Sequence, residues 1–181
     1  LGQRLADLAQ QQGVKLAVNQ NARWAPHFSY LLHAARAGLL GRITAAHFAV
    51  HWDHNWVRGS RFEEIKHLVL FDFGIHWFDI LTCLMGRTEP RRVYAAVTRS
   101  PAQSVRPPLL AQVLVQYEEA QASLVFDGDT RFAPLDTTYV TGTGGTFTSQ
   151  GPSVRTQTVE ITTKDGSFRP VLEGCWFPDG F

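Results

Sequence analysis

Phe71-Asp72-Phe73-Gly74-Ile75-His76-Trp77-Phe78-Asp79-Ile80 is the stretch whose reading decides the rest of this chain. Taken as a helix, it puts Asp72, His76 and Asp79 at i, i+4 and i+7, on one narrow stripe that Cys83 continues at i+11. Nearly everything else on the helix is large and apolar: Phe71, Phe73, Ile75, Trp77, Phe78, Ile80, Leu81, Leu84 and Met85. A helix that is apolar almost all round belongs in an interior. A carboxylate and an imidazole on its one polar stripe need partners, because an unpaired buried polar group costs about 1–3 kcal/mol. The stripe is therefore expected to face a polar cavity. Two readings of Asp72 and His76 stand side by side. They form a self-satisfied buried ion pair, or the carboxylate orients an imidazole for general acid–base work on a hydroxyl or carbonyl. Asp79 reads as support, capping or bonding nearby backbone.

Outward from this helix, which spans about residue 70 to Met85 and closes at Gly86, the two sides differ in texture. Upstream, residues 53–66 show no clean period and read as a loop over the site. Ile43 to Trp52 alternates as a strand. A helix starts near Pro26, runs through Phe28, Leu31, Leu32 and Ala35, and ends near Gly38. Residues 2–12 form an amphipathic helix with Leu5, Leu8 and Ala9 inward, stopped by Gly13, and Lys15 to Asn19 follows as a short buried strand. Downstream, strands are predicted at Arg92–Arg99, Ala111–Tyr117, Ala122–Phe126, Asp136–Gly142, Thr146–Ser149, Val154–Thr163 and Ser167–Leu172. Thr141-Gly142-Thr143-Gly144-Gly145 reads as a hairpin turn, since no helix follows to hold an anion. Strands without intervening helices predict a meandering antiparallel sheet. The fold class is α+β: a large open, mostly antiparallel sheet with helices packed on one face.

Composition excludes several functions. With 181 residues, 44% hydrophobic and 18% charged, the chain can bury a core. A net charge of +1, with 14 Arg and 3 Lys scattered along the chain, gives no electrostatic reason to expect nucleic acid or an anionic membrane. No run approaches a membrane span. Two cysteines, Cys83 and Cys175, make no disulfide framework, so a reduced, cytoplasmic setting is the default. The first residue is Leu1, so a leader could have been lost.

Three further groups are candidates for ligand contact. His51-Trp52-Asp53-His54 could hint at a metal, but no Cys cluster or H-E-x-x-H supports one, and a polar rim reading substrate hydroxyls suits it better, with Asn55 adding a hydrogen bond. Asn19-Gln20-Asn21-Ala22-Arg23-Trp24 follows an apolar segment, where α/β sheets bind ligands; the plain alternative is a turn with Arg23 pairing a carboxylate. Trp24, Trp52, Trp56 and Trp77 offer flat apolar surface for sugar faces. The chain has no G-x-G-x-x-G, no P-loop and no G-x-S-x-G.

These pieces, in this order, resemble the glucose–fructose oxidoreductase/inositol dehydrogenase (Gfo/Idh/MocA) family. Its Asn-x-Arg-[Phe/Trp] segment reads here Asn21-Ala22-Arg23-Trp24, its Gly-x-[Ile/Leu]-Gly turn reads Gly38-Leu39-Leu40-Gly41, and its Asp-x-Gly-x-His-x-x-Asp reads Asp72 to Asp79. The resemblance covers essentially the whole chain. It implies residues 1–20 as the last helix–strand unit of an N-terminal Rossmann domain, and 21–181 as a substrate-binding and oligomerisation domain, cut at its C-terminus near Trp176–Phe181. It implies NAD or NADP as cofactor, with Asn19 and Asn21 on the cofactor side, and a carbohydrate-like small molecule as substrate. His76 would be the acid/base, Asp72 would orient it or bind substrate, and Arg23, Trp24, His51, His54 and Asn55 would contact substrate. A homodimer or homotetramer through the open sheet face is expected. The family's lysine, in a Glu-Lys-Pro segment, would lie upstream, so the isolated chain is expected to bind NAD(P) weakly and not turn over. An NAD-dependent glycosidase-type relative and a non-catalytic oligomerisation or binding module are the alternatives.

Overall fold

The computed structural model of the chain describes residues 1–180; Phe181, the last residue of the expected 21–181 domain, lies outside them. Eight strands form one sheet in the order β2-β3-β4-β1-β5-β6-β7-β8. They are β1 (Ile43–His51), β2 (Arg92–Thr98), β3 (Leu110–Gln116), β4 (Gln121–Asp127), β5 (Leu135–Gly142), β6 (Gly145–Ser153), β7 (Thr156–Thr163) and β8 (Gly166–Phe168). The helices are α1 (Gly2–Gln11), α2 (Pro26–Arg36), α3 (Ile75–Met85) and the short α4 (Trp176–Asp179). The chain is thus α+β, with an open, mostly antiparallel sheet.

The sheet is not the single meander expected. β1 lies between β4, which it pairs in parallel, and β5, which it pairs antiparallel. After α3 the chain crosses to the far edge, and β2-β3-β4 meanders back to β1 from that side. Local turn residues mark each hairpin but carry nothing about where β1 inserts.

Period-two alternation decides the two faces. The cross-strand row Val113, Leu124, Phe48, Thr138, Ser149, Val159 faces the helices and is buried. The next row, Tyr94, Leu114, Ser123, His47, Tyr139, Thr148 and Glu160, lies on the other, open face. α2 covers the buried face with Phe28, Leu31 and Leu32, and α3 with Trp77, Ile80, Leu81 and Leu84. Trp77 is the hinge of this packing. Its ring meets Phe28 edge-on at 6.3 Å and Phe126 at 5.7 Å, in the geometry aromatic quadrupoles favour.

The helix read from residue 70 to Met85 is really two pieces. Val69–Phe73 is a π-turn, α3 starts only at Ile75, and the Gly74 N–H donates to Val69 O at 2.6 Å. A Cβ at Gly74 would sit 2.9 Å from that same carbonyl, so the wide turn closes only on glycine. The Gly-rich hairpin between β5 and β6 has a similar cause. Leu40 O accepts from Gly144 N, and a Cβ on Gly142 would lie 2.1 Å from Leu40 O, so residues 39–42 lie directly across its tip.

At the N-terminus the expectations fail. No residue of α1 is buried; Leu5 and Leu8 are exposed, and Lys15–Asn19 is an exposed segment rather than a strand. A strand needs a neighbouring ladder for its N–H and C=O groups, and no strand lies beside this segment among the described residues.

One core position breaks the apolar pattern. Asp136 on β5 faces the helix side at 2% exposure, and neither carboxyl oxygen has a hydrogen-bond partner among the described residues. Burial pushes its pKa from 3.8 up to about 7. The folded protein then holds a proton the unfolded chain has lost, so Asp136 costs stability as pH rises from about 4 to 7, by about 1.4 kcal/mol per unit. His27 and His54, lowered by burial to about 3 and about 4, work oppositely and cost stability as pH falls below 6.5. Asp136→Asn removes only the first slope. In thermal melts the variant is expected to have the higher Tm at about pH 8 and to converge with the parent near pH 4. Equal Tm values at the alkaline end would contradict this account.

Candidate functional site

The polar stripe divides within α3, between His76 and Asp79. Asp72 and His76 line one cavity of about 430 Å³, together with Trp52, His54, Trp56 and Phe73. Asp79 turns away to Arg23, and Cys83 lines a separate cavity beside Arg36 and Arg42. Asp72 and His76 do not form a self-satisfied ion pair: His76 Nδ1 is buried with no hydrogen-bond partner among the described residues. Each nevertheless feels the other's charge. Burial pushes the Asp72 carboxyl up, with His76 opposing, and burial pushes the His76 imidazole down, with Asp72 and Asp79 opposing. A His with a lowered pKa is neutral at neutral pH and can accept a proton.

The second imidazole is deeper. His54 is 3% exposed and neither ring nitrogen has a partner among the described residues. Its ring is held among Trp52 at 5.8 Å, Trp56 at 5.2 Å and Phe73 at 5.0 Å. Burial lowers its pKa to about 4, against the pull of Asp53, so it stays uncharged. A neutral imidazole offers one donor and one acceptor, the complement of a hydroxyl.

The opposite wall comes from distant sequence. Ser153, Val154 and Arg155 arrive on the turn between β6 and β7, and Trp176 and Phe177 on α4. Trp176 meets His76 edge-on at 5.3 Å and stacks on Phe177 at 5.4 Å. Sequence reading missed these five residues. Nothing local marks them, since they join the site only through sheet topology; the Trp176-Phe177 pair was the one visible hint.

Of Arg23, Trp24, His51, His54 and Asn55, His54 alone joins Asp72 and His76 in the cavity; of the other indoles expected to face a sugar, Trp52 and Trp56 line it and Trp77 is buried in the core. Arg23 is committed to Asp79 by a bidentate pair at 2.7 and 2.6 Å, the plain alternative, and Asp79 supports by side-chain pairing rather than by capping. Trp24 is exposed and borders another groove, beside Tyr30 and His33. His51 lies on the open face and bonds Asp127 at 2.8 Å, because alternation that buries Val50 must turn His51 outward. The Asn55 amide is spent on Asp53, Asp129 and Ser104, bracing the loop. Asn19 donates to Gly180 O at 3.1 Å and Asn21 accepts from Trp176 Nε1 at 3.2 Å, so both hold the C-terminal segment that walls the cavity. Among the described residues no group of three or more His, Cys, Asp or Glu converges as metal ligands would, and no helix is long and apolar enough to cross a membrane.

A nicotinamide ring is flat, with a polar carboxamide edge, and an aromatic-walled cavity with unpartnered buried imidazoles fits it. The described residues show no phosphate cradle to match: residues 1–20 supply an exposed helix and an unpaired segment.

Comparison with known structures agrees on the fold. The chain is similar to an oxidoreductase from Agrobacterium radiobacter crystallised with NAD+, L-tartaric acid and magnesium (TM-score 0.77, 19% identity, 93% of this chain and 49% of that one). It is also similar to the aldose-aldose oxidoreductase from Caulobacter crescentus complexed with glycerol (TM-score 0.73, 17% identity, 91% and 50%). A third is the inositol dehydrogenase homolog from Azotobacter vinelandii complexed with NADH and myo-inositol (TM-score 0.72, 14% identity, 94% and 47%). The chain spans about half the length of these structures. No curated protein sequence matches it. The model of the GFO/IDH/MocA C-terminal domain matches residues 28–148, from within α2 into β6, and the chain therefore belongs to that family.

Proposed function

We propose that this chain is the substrate-binding part of an NAD(P)-dependent oxidoreductase that oxidises a hydroxyl group of a sugar, polyol or related compound. One observation carries the reading: a neutral, partly buried His76 with an unpartnered ring nitrogen stands beside Asp72 in an aromatic-walled cavity. When bound, the nicotinamide supplies a hydride acceptor. The chain's own residues do the rest. His76 would take the hydroxyl proton while the bound nicotinamide would accept the hydride, so that the hydroxyl carbon becomes a carbonyl. Asp72 stabilises the imidazolium that forms. His54 reads a neighbouring hydroxyl, and the indoles of Trp52 and Trp56 exclude water and cover the apolar face of a sugar ring. Asn19 and Asn21 act at one remove, holding Trp176 and Gly180 in place. Residues 1–20 are proposed to belong with a nucleotide-binding domain.

The test is His76→Asn in the protein at its natural length, followed by net NADH production. General acid–base catalysis typically contributes about 10²–10⁴-fold, so kcat is expected to fall by that range while the Tm holds. Activity surviving within a few-fold would remove His76 from the chemistry. Product formation without net NADH would favour the glycosidase-type alternative. Because His76 must be neutral and burial lowers its pKa, kcat/KM is expected to decline on acidification only below about pH 6.5, the ordinary imidazole value. A decline that begins well above that pH would contradict the role.

We also propose that the open sheet face joins copies of this chain. It leaves Tyr94, Leu114 and Tyr139 exposed in one cross-strand row, more apolar surface than a solvent-facing row needs. Leu114→Arg is expected to shift the sedimentation profile to the monomer, and an unchanged oligomer would argue against this face.

A further inference from the structure

The turn between β6 and β7 supplies the one guanidinium in the cavity wall, and nothing in the hydroxyl-oxidation reading requires a cation there. The turn is rigid. Val154 is buried at 3% and anchors it, Gln157 Nε2 donates to Ser153 O at 2.7 Å, and the Arg155 N–H donates to Ser153 Oγ at 3.2 Å. The bulge at Gln150–Ser153 lets Gly151 pass so close to Thr156 that a Cβ would lie 1.7 Å from its carbonyl oxygen. From this base the Arg155 guanidinium lies over the Phe177 ring, 5.7 Å from its centroid. It has no carboxylate within ion-pairing distance among the described residues. A guanidinium resting on an aromatic face keeps its planar edge of N–H donors free, the edge that matches a carboxylate bidentately.

We infer that the substrate of this cavity is a hydroxy acid, such as a sugar acid, whose carboxylate docks on Arg155 while its hydroxyls meet His54 and His76. The inference rests on the oxidoreductase reading above and narrows its substrate class. A second feature favours a polar ligand independently of Arg155: His54, only 3% exposed, borders the same cavity, and neither of its ring nitrogens has a partner among the described residues. Asp72 is the acidic side chain lining the cavity, and it sits on the π-turn, where its charge acts on His76. A ligand carboxylate at the β6–β7 turn therefore meets a cation, and its reacting carbon meets the Asp72/His76 end.

Matched probes test this. D-gluconate and D-galactonate differ from D-glucitol and D-galactitol in the carboxylate. Their binding to the protein at its natural length can be read from the indole N–H signals of Trp52, Trp56 and Trp176. At least one aldonate is expected to bind about tenfold or more tightly than its alditol, the scale of a charge-assisted hydrogen bond. Arg155→Gln is expected to abolish that difference, and Arg155→Lys to keep part of it, since an ammonium keeps the charge and loses the fork. Alditols binding as tightly as aldonates, or aldonate affinity unmoved by Arg155→Gln, would overturn the inference and leave the role of His76 standing. If none of the four probes shifts the indole signals, both this inference and the cavity's assignment as the substrate site fail.

Discussion

A single backbone hydrogen bond, from Gly74 N–H to Val69 O at 2.6 Å, fixes how the rest of this molecule is arranged. It closes a turn of i to i+5 width and ends it before α3 begins. The turn places Asp72 in the cavity beside His76 on α3, while Asp79, three residues further along the same helix, binds Arg23 and ties the turn at residues 21–24 to α3. The same turn carries Phe73 into contact with Trp52, His54 and Trp77. π-turns are rare and frequent at functional sites, and this one lines the candidate cavity with Asp72 and Phe73.

Desolvation then sets the chemistry. Three histidines, His27, His54 and His76, are held neutral by burial, and one carboxyl, Asp136, is pushed toward its protonated form. Two of these histidines, His54 and His76, border the cavity of about 430 Å³, and their unpartnered ring nitrogens leave hydrogen-bonding capacity there. That character suits a ligand rich in hydroxyls, whose many small hydrogen bonds replace the missing partners.

The fold was largely legible in the sequence, because alternation and turn residues are local signals. β1 to β5 begin and end within a residue or two of expectation. What failed was non-local. The parallel pairing of β1 with β4, the exposure of Lys15–Asn19 and the split at Gly74 each depend on what lies beside the segment, which no window of sequence contains. The site followed the same division. Asp72, His76 and His54, which residue type and spacing single out, line one cavity. His51 falls outside the cavity because the alternation that buries Val50 turns the next residue to the open face. Arg23 and Asn55 were already spent on Asp79 and on Asp53, Asp129 and Ser104. Arg155 and Trp176 reach the cavity from more than seventy residues away along the chain.

The coupling of Asp72 to His76 inside one desolvated cavity is the claim on which the functional account stands. An NMR titration of the His76 imidazole, in the parent and in Asp72→Asn, measures it directly. The account expects a midpoint below the ordinary 6.5 in the parent, and a lower one in the variant, because the Asp72 charge is what holds it up. A midpoint at or above 6.5 that does not move when Asp72 is neutralised would contradict it.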